Sequence, residues 1–132
     1  MTMTSQGSAH GRFQRAIKRG HLFHAELASR EIGHLPLADA LALALLIADA
    51  EPKRWPRAAA RWHARFVLEA KGIGFDESAL ALAAVGALPG EHHELAAQTL
   101  RHLVHSHGLA SVADVLERAC LNRRVPQPTL PE

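Results

Sequence analysis

The stretch L-A-D-A-L-A-L-A-L-L-I-A-D-A, from Leu37 to Ala50, decides the fold class. Asp39 and Asp49 are its only charged residues. If this stretch forms a helix, apolar side chains surround almost its whole circumference. Pro36 precedes it, and a proline in a first helical turn loses no hydrogen bond. A helix that is apolar around its whole circumference belongs inside a bundle. We therefore expect residues 37–50 to form a central helix.

The composition of the whole chain favours helices. Of its 132 residues, 48% are hydrophobic, 21% are charged and only 5% are aromatic, with no tyrosine at all. Ala and Leu, which favour helix, are abundant, whereas the aromatic and β-branched residues typical of strands are scarce. This length suits one domain with a sizeable core. The sequence predicts an all-α fold, either a compact bundle or a short solenoid-like array of six or seven helices.

The apolar periodicity and the glycine and proline breaks divide the chain into three parts. Residues 1–11 are small and polar, and we expect them to be disordered. Residues 12–122 form the predicted helical domain, in which 37–50 and 78–88 are the two apolar central helices. Residues 123–132 contain three prolines and are predicted to be a tail without a helix. The seven predicted helices span residues 12–19, 21–32, 37–50, 56–71, 78–88, 91–107 and 111–121.

One short sequence occurs almost twice. D-A-L-A-L-A begins at Asp39 and S-A-L-A-L-A begins at Ser78, an offset of 39 residues. This period is close to that of helical repeats whose helix pairs stack into a solenoid. The match also arises easily in a chain rich in Ala and Leu, so both a true repeat and a chance similarity remain open.

Several classes of protein are disfavoured. The single cysteine, Cys120, rules out an intrachain disulfide or a thiolate-only metal site. The first eleven residues lack the apolar stretch of a signal peptide. The longest apolar run, residues 40–48, is far shorter than the ~20 residues that span a bilayer. We therefore expect a soluble, cytoplasmic protein.

Histidine and catalytic motifs give little support for an enzyme. Ten histidines include pairs with the spacing of helical metal ligands. The pairs with that spacing, including one Glu-x-x-His step, are His21/His24, His102/His105 and Glu31/His34. A metal site in a bundle also needs inward ligands on central helices, and 37–50 and 78–88 have no Glu or His in their interiors. Nucleophile and phosphate-binding motifs are missing as well. We expect a non-catalytic protein without metal or cofactor.

The clearest candidate for a binding surface is the segment P-K-R-W-P-R-A-A-A-R-W-H-A-R-F-V-L-E-A-K, residues 52–71. In helical phase it places four arginines in a stripe roughly 80° wide, namely Arg54, Arg57, Arg61 and Arg65. A second stripe, about 120° away, is apolar and consists of Trp55, Ala59, Trp62 and Phe66. Pro56 should restart the helix, so Arg54 and Trp55 need not follow this phase. The alternative interpretation of the arginine stripe is an ordinary solvated face.

Two functions fit this segment. The first is a small helical adaptor that binds another protein or a second copy of itself. Trp55 is an interaction anchor if it is exposed; the other interpretation of Trp55 is core packing. The second is sequence-independent nucleic-acid binding by Arg54, Arg57, Arg61 and Arg65. Twelve of the fifteen cationic residues are arginine, and the formal net charge is +2. A GC-rich genome also produces such a bias, so composition alone does not choose between these functions.

Overall fold

The computed structural model describes residues 7–121, which form seven α-helices. Their bounds are α1 Ala9–Arg19, α2 Leu22–Ile32, α3 Leu37–Ala50, α4 Trp55–Glu69, α5 Phe75–Ala87, α6 His93–Ser106 and α7 Ala110–Leu116. A 3-10 turn, Pro52–Arg54, precedes α4, and a π-helical turn, Glu117–Leu121, follows α7. The predicted all-α fold is confirmed. The predicted tail at 123–132 lies outside the described residues, as do residues 1–6 of the predicted N-terminal segment.

Helix α1 begins at Ala9, three residues before its expected start. The cause is a cap that the sequence interpretation missed. Ser8 adopts an extended conformation, and its Oγ accepts a hydrogen bond of 2.9 Å from the N–H of Gly11. A serine at this position satisfies one of the free N–H groups of a first helical turn. The helix therefore includes residues 9–11.

Helix α3 is apolar on all sides because it separates two hydrophobic clusters. One side faces the larger cluster, which contains residues from α3 to α7 and the turn that follows. The residues that α3 buries there are Leu37, Leu41, Ala44 and Ala48. Its other side packs against the α1–α2 hairpin, where Phe13, Ala25 and Ala28 are buried. The prediction that Leu37–Ala50 is a central helix is thus explained by contacts on two sides.

Helix α7 closes the bundle. It packs against both α6 and α3, and so it joins the end of the described chain to its centre. The order of contacts runs from α3 through α4, α5 and α6 to α7 and returns to α3. A solenoid would stack each unit only on its neighbours. The described residues therefore form a bundle rather than an open array.

Helix α5 differs from the expected second central helix in one respect. Its main helix neighbours are α4 and α6, and the residues it turns inward are Ala81, Ala84 and Val85. Leu80 and Leu82 remain 50% and 46% exposed. Helix α5 is therefore buried on one side only, whereas α3 is buried on two sides. The two helices differ in this respect although both contain the sequence A-L-A-L-A.

The aromatic stripe of α4 fixes the rotation of this helix. Trp62 and Phe66 are buried, and their rings stack with centroids 5.5 Å apart. The indole Nε1 of Trp62 donates a hydrogen bond of 3.0 Å to the carbonyl of Leu37 in the first turn of α3. Because this stripe is anchored in the core, the arginines about 120° away are directed to the surface.

Three large apolar side chains are exposed rather than buried. Phe23 and Leu27 of α2 are 71% and 44% exposed, and Leu95 of α6 is 65% exposed. Helix α2 instead buries Ala25 and Ala28. Helix α6 buries Ala96, Ala97, Leu100, Leu103 and Val104. Small residues permit closer helix packing. This close packing, and not the size of the apolar side chains, determines which side of each helix faces inward.

Candidate functional site

A groove lies between α2 and α4, which both pack on α3. It has a volume of about 340 Å³. The residues that line it come from the end of α2 and the following loop, from α3 and from α4: Ser29, Gly33, His34, Leu35, Ala40, Leu43, Ala44, Ile47, Ala58, Arg61, Trp62 and Arg65. Most of this lining is apolar. We call this cavity the α2–α4 groove.

Two polar contacts connect the α2 side of the groove with the α4 side. Arg54, in the 3-10 turn, donates from its two Nη atoms to the two carboxylate oxygens of Glu26, at 3.0 and 2.9 Å. Arg65 Nη2 lies 3.4 Å from Nε2 of His34, which follows α2. The paired hydrogen bonds between Arg54 and Glu26 raise the pKa of the guanidinium and lower the pKa of the carboxyl. These contacts join α2 and the loop that follows it to the turn before α4 and to α4 itself.

A second cavity, of about 410 Å³, extends the groove along α4. Ile47, Ala58 and Arg61 line both cavities, which makes the two a continuous surface. The second cavity adds the cations Lys53, Arg54 and Arg57. Among the described residues, neither cavity is lined by an aspartate or a glutamate. The surface therefore combines apolar walls with cations, of which Arg54 and Arg65 are paired with glutamates just outside the cavities. The unpaired cations among the described lining residues leave a positive charge that attracts anionic groups.

The four arginines of the predicted stripe have different environments. Arg54 forms ion pairs with Glu26 and also with Glu51, at 2.5 Å. Arg65 forms an ion pair of 2.9 Å with Glu69 one turn later. The remaining two, Arg57 and Arg61, are exposed and make no ion pair with any residue between 7 and 121. They are the two guanidinium groups of the stripe that no carboxylate in the described part of the chain neutralises.

Of the two interpretations of Trp55, the structure shows core packing rather than an exposed anchor. Trp55 is the first residue of α4, and only 7% of it is exposed. Its Nε1 donates to the carbonyl of Gly86 in α5, at 3.4 Å. The 3-10 turn ends before Trp55, so this residue follows the helical phase of Ala59 and Trp62 and enters the core with them.

No local pattern in the sequence indicates the groove. Its apolar lining comes largely from the second side of α3, and the only signal for an opening there was the apolar excess of that helix. Glu26 gave no local signal as a partner for Arg54, since 28 residues separate the two. The sequence indicates His34 only as a possible metal ligand with Glu31. In the structure, His34 lies beside Arg65.

A second basic cleft lies between α1 and α2 and has a volume of about 640 Å³. Its cationic and titratable lining residues are Arg12, Arg15, Arg19, His21, His24 and Glu31. Arg12 forms an ion pair with Glu31 and donates to the carbonyl of Gly7. The cleft brings together three arginines of α1, Arg12, Arg15 and Arg19. Its lining is more polar than that of the α2–α4 groove.

The histidine pairs do not form a metal site in the part of the chain that the structure describes. No cluster there contains three or more His, Cys, Asp or Glu side chains suited to hold a metal ion. His21 and His24 instead contact each other edge to face, with ring centroids 5.7 Å apart. Cys120 is buried. His21, His24 and Cys120 are not among the residues that line the α2–α4 groove.

Comparison with protein-family models, curated proteins and solved structures found no match. The longest helix between residues 7 and 121 is α4, with 15 residues, and none of the helices there has the length and apolarity required to cross a membrane. The groove's own chemistry is thus what indicates a function.

Proposed function

We propose that this protein is a non-catalytic interaction module that binds an acidic segment of a partner protein in the α2–α4 groove. The bound segment carries apolar side chains toward the groove and carboxylates toward Arg57 and Arg61. The observation that carries the proposal is the apolar lining bordered by cations, without a lining carboxylate among the described residues.

The apolar part of the groove suits a few hydrophobic side chains. Its volume of about 340 Å³ lies at the lower end of the range of pockets that enclose small ligands or side-chain clusters. Leu43 and Ala58 are partly exposed there, so a partner covers them on binding. Each Leu or Phe side chain that the partner buries contributes about 1.5–3 kcal/mol.

The cations supply specificity. A guanidinium forms paired hydrogen bonds with a carboxylate, and arginine suits this geometry better than lysine. Arg57 and Arg61 have no competing ion pair within residues 7–121, because Glu26 and Glu51, the nearby carboxylates, are paired with Arg54. Charges at the border of an interface chiefly accelerate association and exclude wrong partners. A segment lacking carboxylates is therefore expected to bind more weakly.

Nucleic-acid binding through Arg54, Arg57, Arg61 and Arg65 is the alternative. It needs several arginines free to contact successive phosphates. Ion pairs with carboxylates already occupy Arg54 and Arg65, and an apolar groove offers nothing to a phosphate backbone. These two observations favour a protein segment.

A site-specific photo-crosslinker identifies the bound molecule. It is placed at Ala58, which lines both cavities, and for comparison at Arg101, an exposed position on α6. We expect crosslinking in native-host extract from position 58 and not from position 101, to a protein whose attached peptide contains carboxylates beside apolar residues. Crosslinks to nucleic acid, or equal products from both positions, would contradict the proposal.

Charge reversal tests the role of the arginines. A synthetic peptide with the sequence of the crosslinked segment is titrated against the protein and against the Arg57→Glu/Arg61→Glu variant. We expect at least tenfold weaker binding by the variant, and no change for the control Arg101→Glu. A Gln-for-Glu version of the peptide should bind weakly to both proteins. Equal affinity of the double variant and the unmodified protein would refute the role assigned to Arg57 and Arg61.

A further inference from the structure

Helix α5 presents an uncharged face to the exterior of the bundle. The face consists of Phe75, Ala79, Leu82, Ala83 and Gly86, all of them exposed. They share one side of the helix over three turns. Phe75 is 88% exposed and Leu82 is 46% exposed. We call this surface the outer α5 face.

The rest of the described chain does not cover this face. Helix α5 packs on α4 and α6 through its opposite side, where Ala81 and Val85 are completely buried. Isolated exposed apolar residues are common on proteins, but a contiguous apolar patch marks an interaction site. None of its five residues is charged; the nearest ionic group on the helix is exposed Asp76 at the edge of the face, where the carboxylate can stay in water when the face is covered.

The order of large and small residues on this face is self-complementary. When two copies of α5 pack antiparallel about a two-fold axis midway between residues 80 and 81, Phe75 lies opposite Gly86 of the second copy. In the same register Leu82 lies opposite Ala79 of the second copy. Each large side chain thus meets a small one, which is what close packing of two helices requires.

The structure leaves space for this packing. A Cβ atom added at Gly86 meets no atom within 4 Å, so the surface at this position is open to an incoming ring. Antiparallel helices also place their opposite dipole ends side by side, which is favourable. A two-fold interface uses the same patch on both copies, as this register demands.

We propose that the outer α5 face is the interface of a homodimer, with the same face of a second copy as its occupant. Phe75 packs over Gly86 of the second copy, and Leu82 packs over Ala79 near the axis. The α2–α4 groove includes no residue of α5, so both grooves of the dimer stay open. The dimer is therefore independent of the partner proposed for the groove.

Sedimentation of the full chain over a wide range of concentrations tests the dimer. We expect a reversible monomer–dimer equilibrium. Leu82→Glu places a charge beside the axis and should weaken association at least tenfold. Leu68→Glu is the matched control, because Leu68 is 85% exposed on α4 and does not belong to the face. A chain that is monomeric at all concentrations, or two variants with equal effect, would overturn the proposal.

A residue exchange tests the register itself. Gly86→Phe sets two rings against each other and Phe75→Gly leaves a gap, so each variant alone should weaken the dimer. The double variant Phe75→Gly/Gly86→Phe restores a large residue opposite a small one and should recover much of the association. Circular dichroism verifies that every variant remains helical. A double variant that associates no better than the weaker single variant would exclude this register.

Discussion

His107 joins Glu77 to the backbone of the α4–α5 loop. Its Nε2 lies 2.9 Å from Oε2 of Glu77, and its Nδ1 lies 2.7 Å from the carbonyl oxygen of Lys71. Both partners are acceptors, and a neutral imidazole donates from only one nitrogen. The two bonds are therefore complete only when His107 is protonated. The hydrogen bond with Glu77 raises the pKa of His107 and lowers the pKa of Glu77.

This pair makes stability depend on pH in both directions. The raised pKa of His107 means that its contribution is complete below the unfolded-state value of about 6.5 and is lost as pH rises through the folded-state value. The lowered pKa of Glu77 means that its contribution is present above about 4.3 and is lost as pH falls through the folded-state value. We expect the midpoint of thermal unfolding to be highest between these two limits.

The variant His107→Gln identifies the source of the decline at high pH. Glutamine does not titrate, so the fall in thermal stability above neutral pH should be smaller than in the unmodified protein. His92→Gln is the control, because the side chain of His92 is 76% exposed. A decline that is identical in all three proteins would show that His107 does not cause it.

Replacing Gly20 and Gly86 by alanine should have opposite effects on the free energy of unfolding. A Cβ at either position meets no atom within 4 Å, but Gly20 has a φ of +73° and ends α1, whereas Gly86 lies within α5. Alanine in the left-handed region costs about 1–2 kcal/mol. Alanine in place of glycine within a helix gains roughly 0.5–1 kcal/mol.

Urea unfolding in dilute solution, where association is negligible, measures both changes. Gly20→Ala should lower the free energy of unfolding, and Gly86→Ala should raise it. The same sign for the two variants would show that backbone conformation does not control them.

Phe66 and Phe75 form a second matched pair. Phe66 is 0% exposed and stacks on Trp62, so Phe66→Ala should cost about 3–5 kcal/mol through lost burial and a cavity. Phe75 is 88% exposed, and Phe75→Ala should change the stability of the monomer by less than about 0.5 kcal/mol. Urea unfolding of the dilute variants compares the two costs, and similar costs would contradict the described packing of α4.

The ion pair between Arg54 and Glu26 is expected to contribute little to stability. The two side chains are 44% and 25% exposed, and pairs in such positions are worth about 0–1 kcal/mol. Glu26→Gln should therefore reduce the free energy of unfolding by no more than this, and the difference should shrink as salt is added. A loss above about 2 kcal/mol would instead indicate a buried charge pair.

The helical fold could be predicted largely from the sequence. The apolar residues of Leu37–Ala50 indicated a central helix because their pattern is local and nearly uninterrupted. The position of Trp62 and Phe66 in the core, with Arg57 and Arg61 on the surface, followed from helical phase alone. The exposure of Phe23 and Leu95 did not follow from the sequence, because hydrophobicity does not state which of several apolar faces packs inward.

What the sequence determined by itself is the set of helices and the exposure of Arg57 and Arg61, since both depend on residues within a few turns of each other. Only the tertiary structure decided that Arg54 pairs with Glu26, that a groove opens between α2 and α4, and that the rest of residues 7–121 leaves the outer α5 face uncovered. Each of these depends on how helices distant in sequence pack on α3 or on their neighbours. No local period encodes such a relationship, because the separation of two helices is set by the side chains of a third.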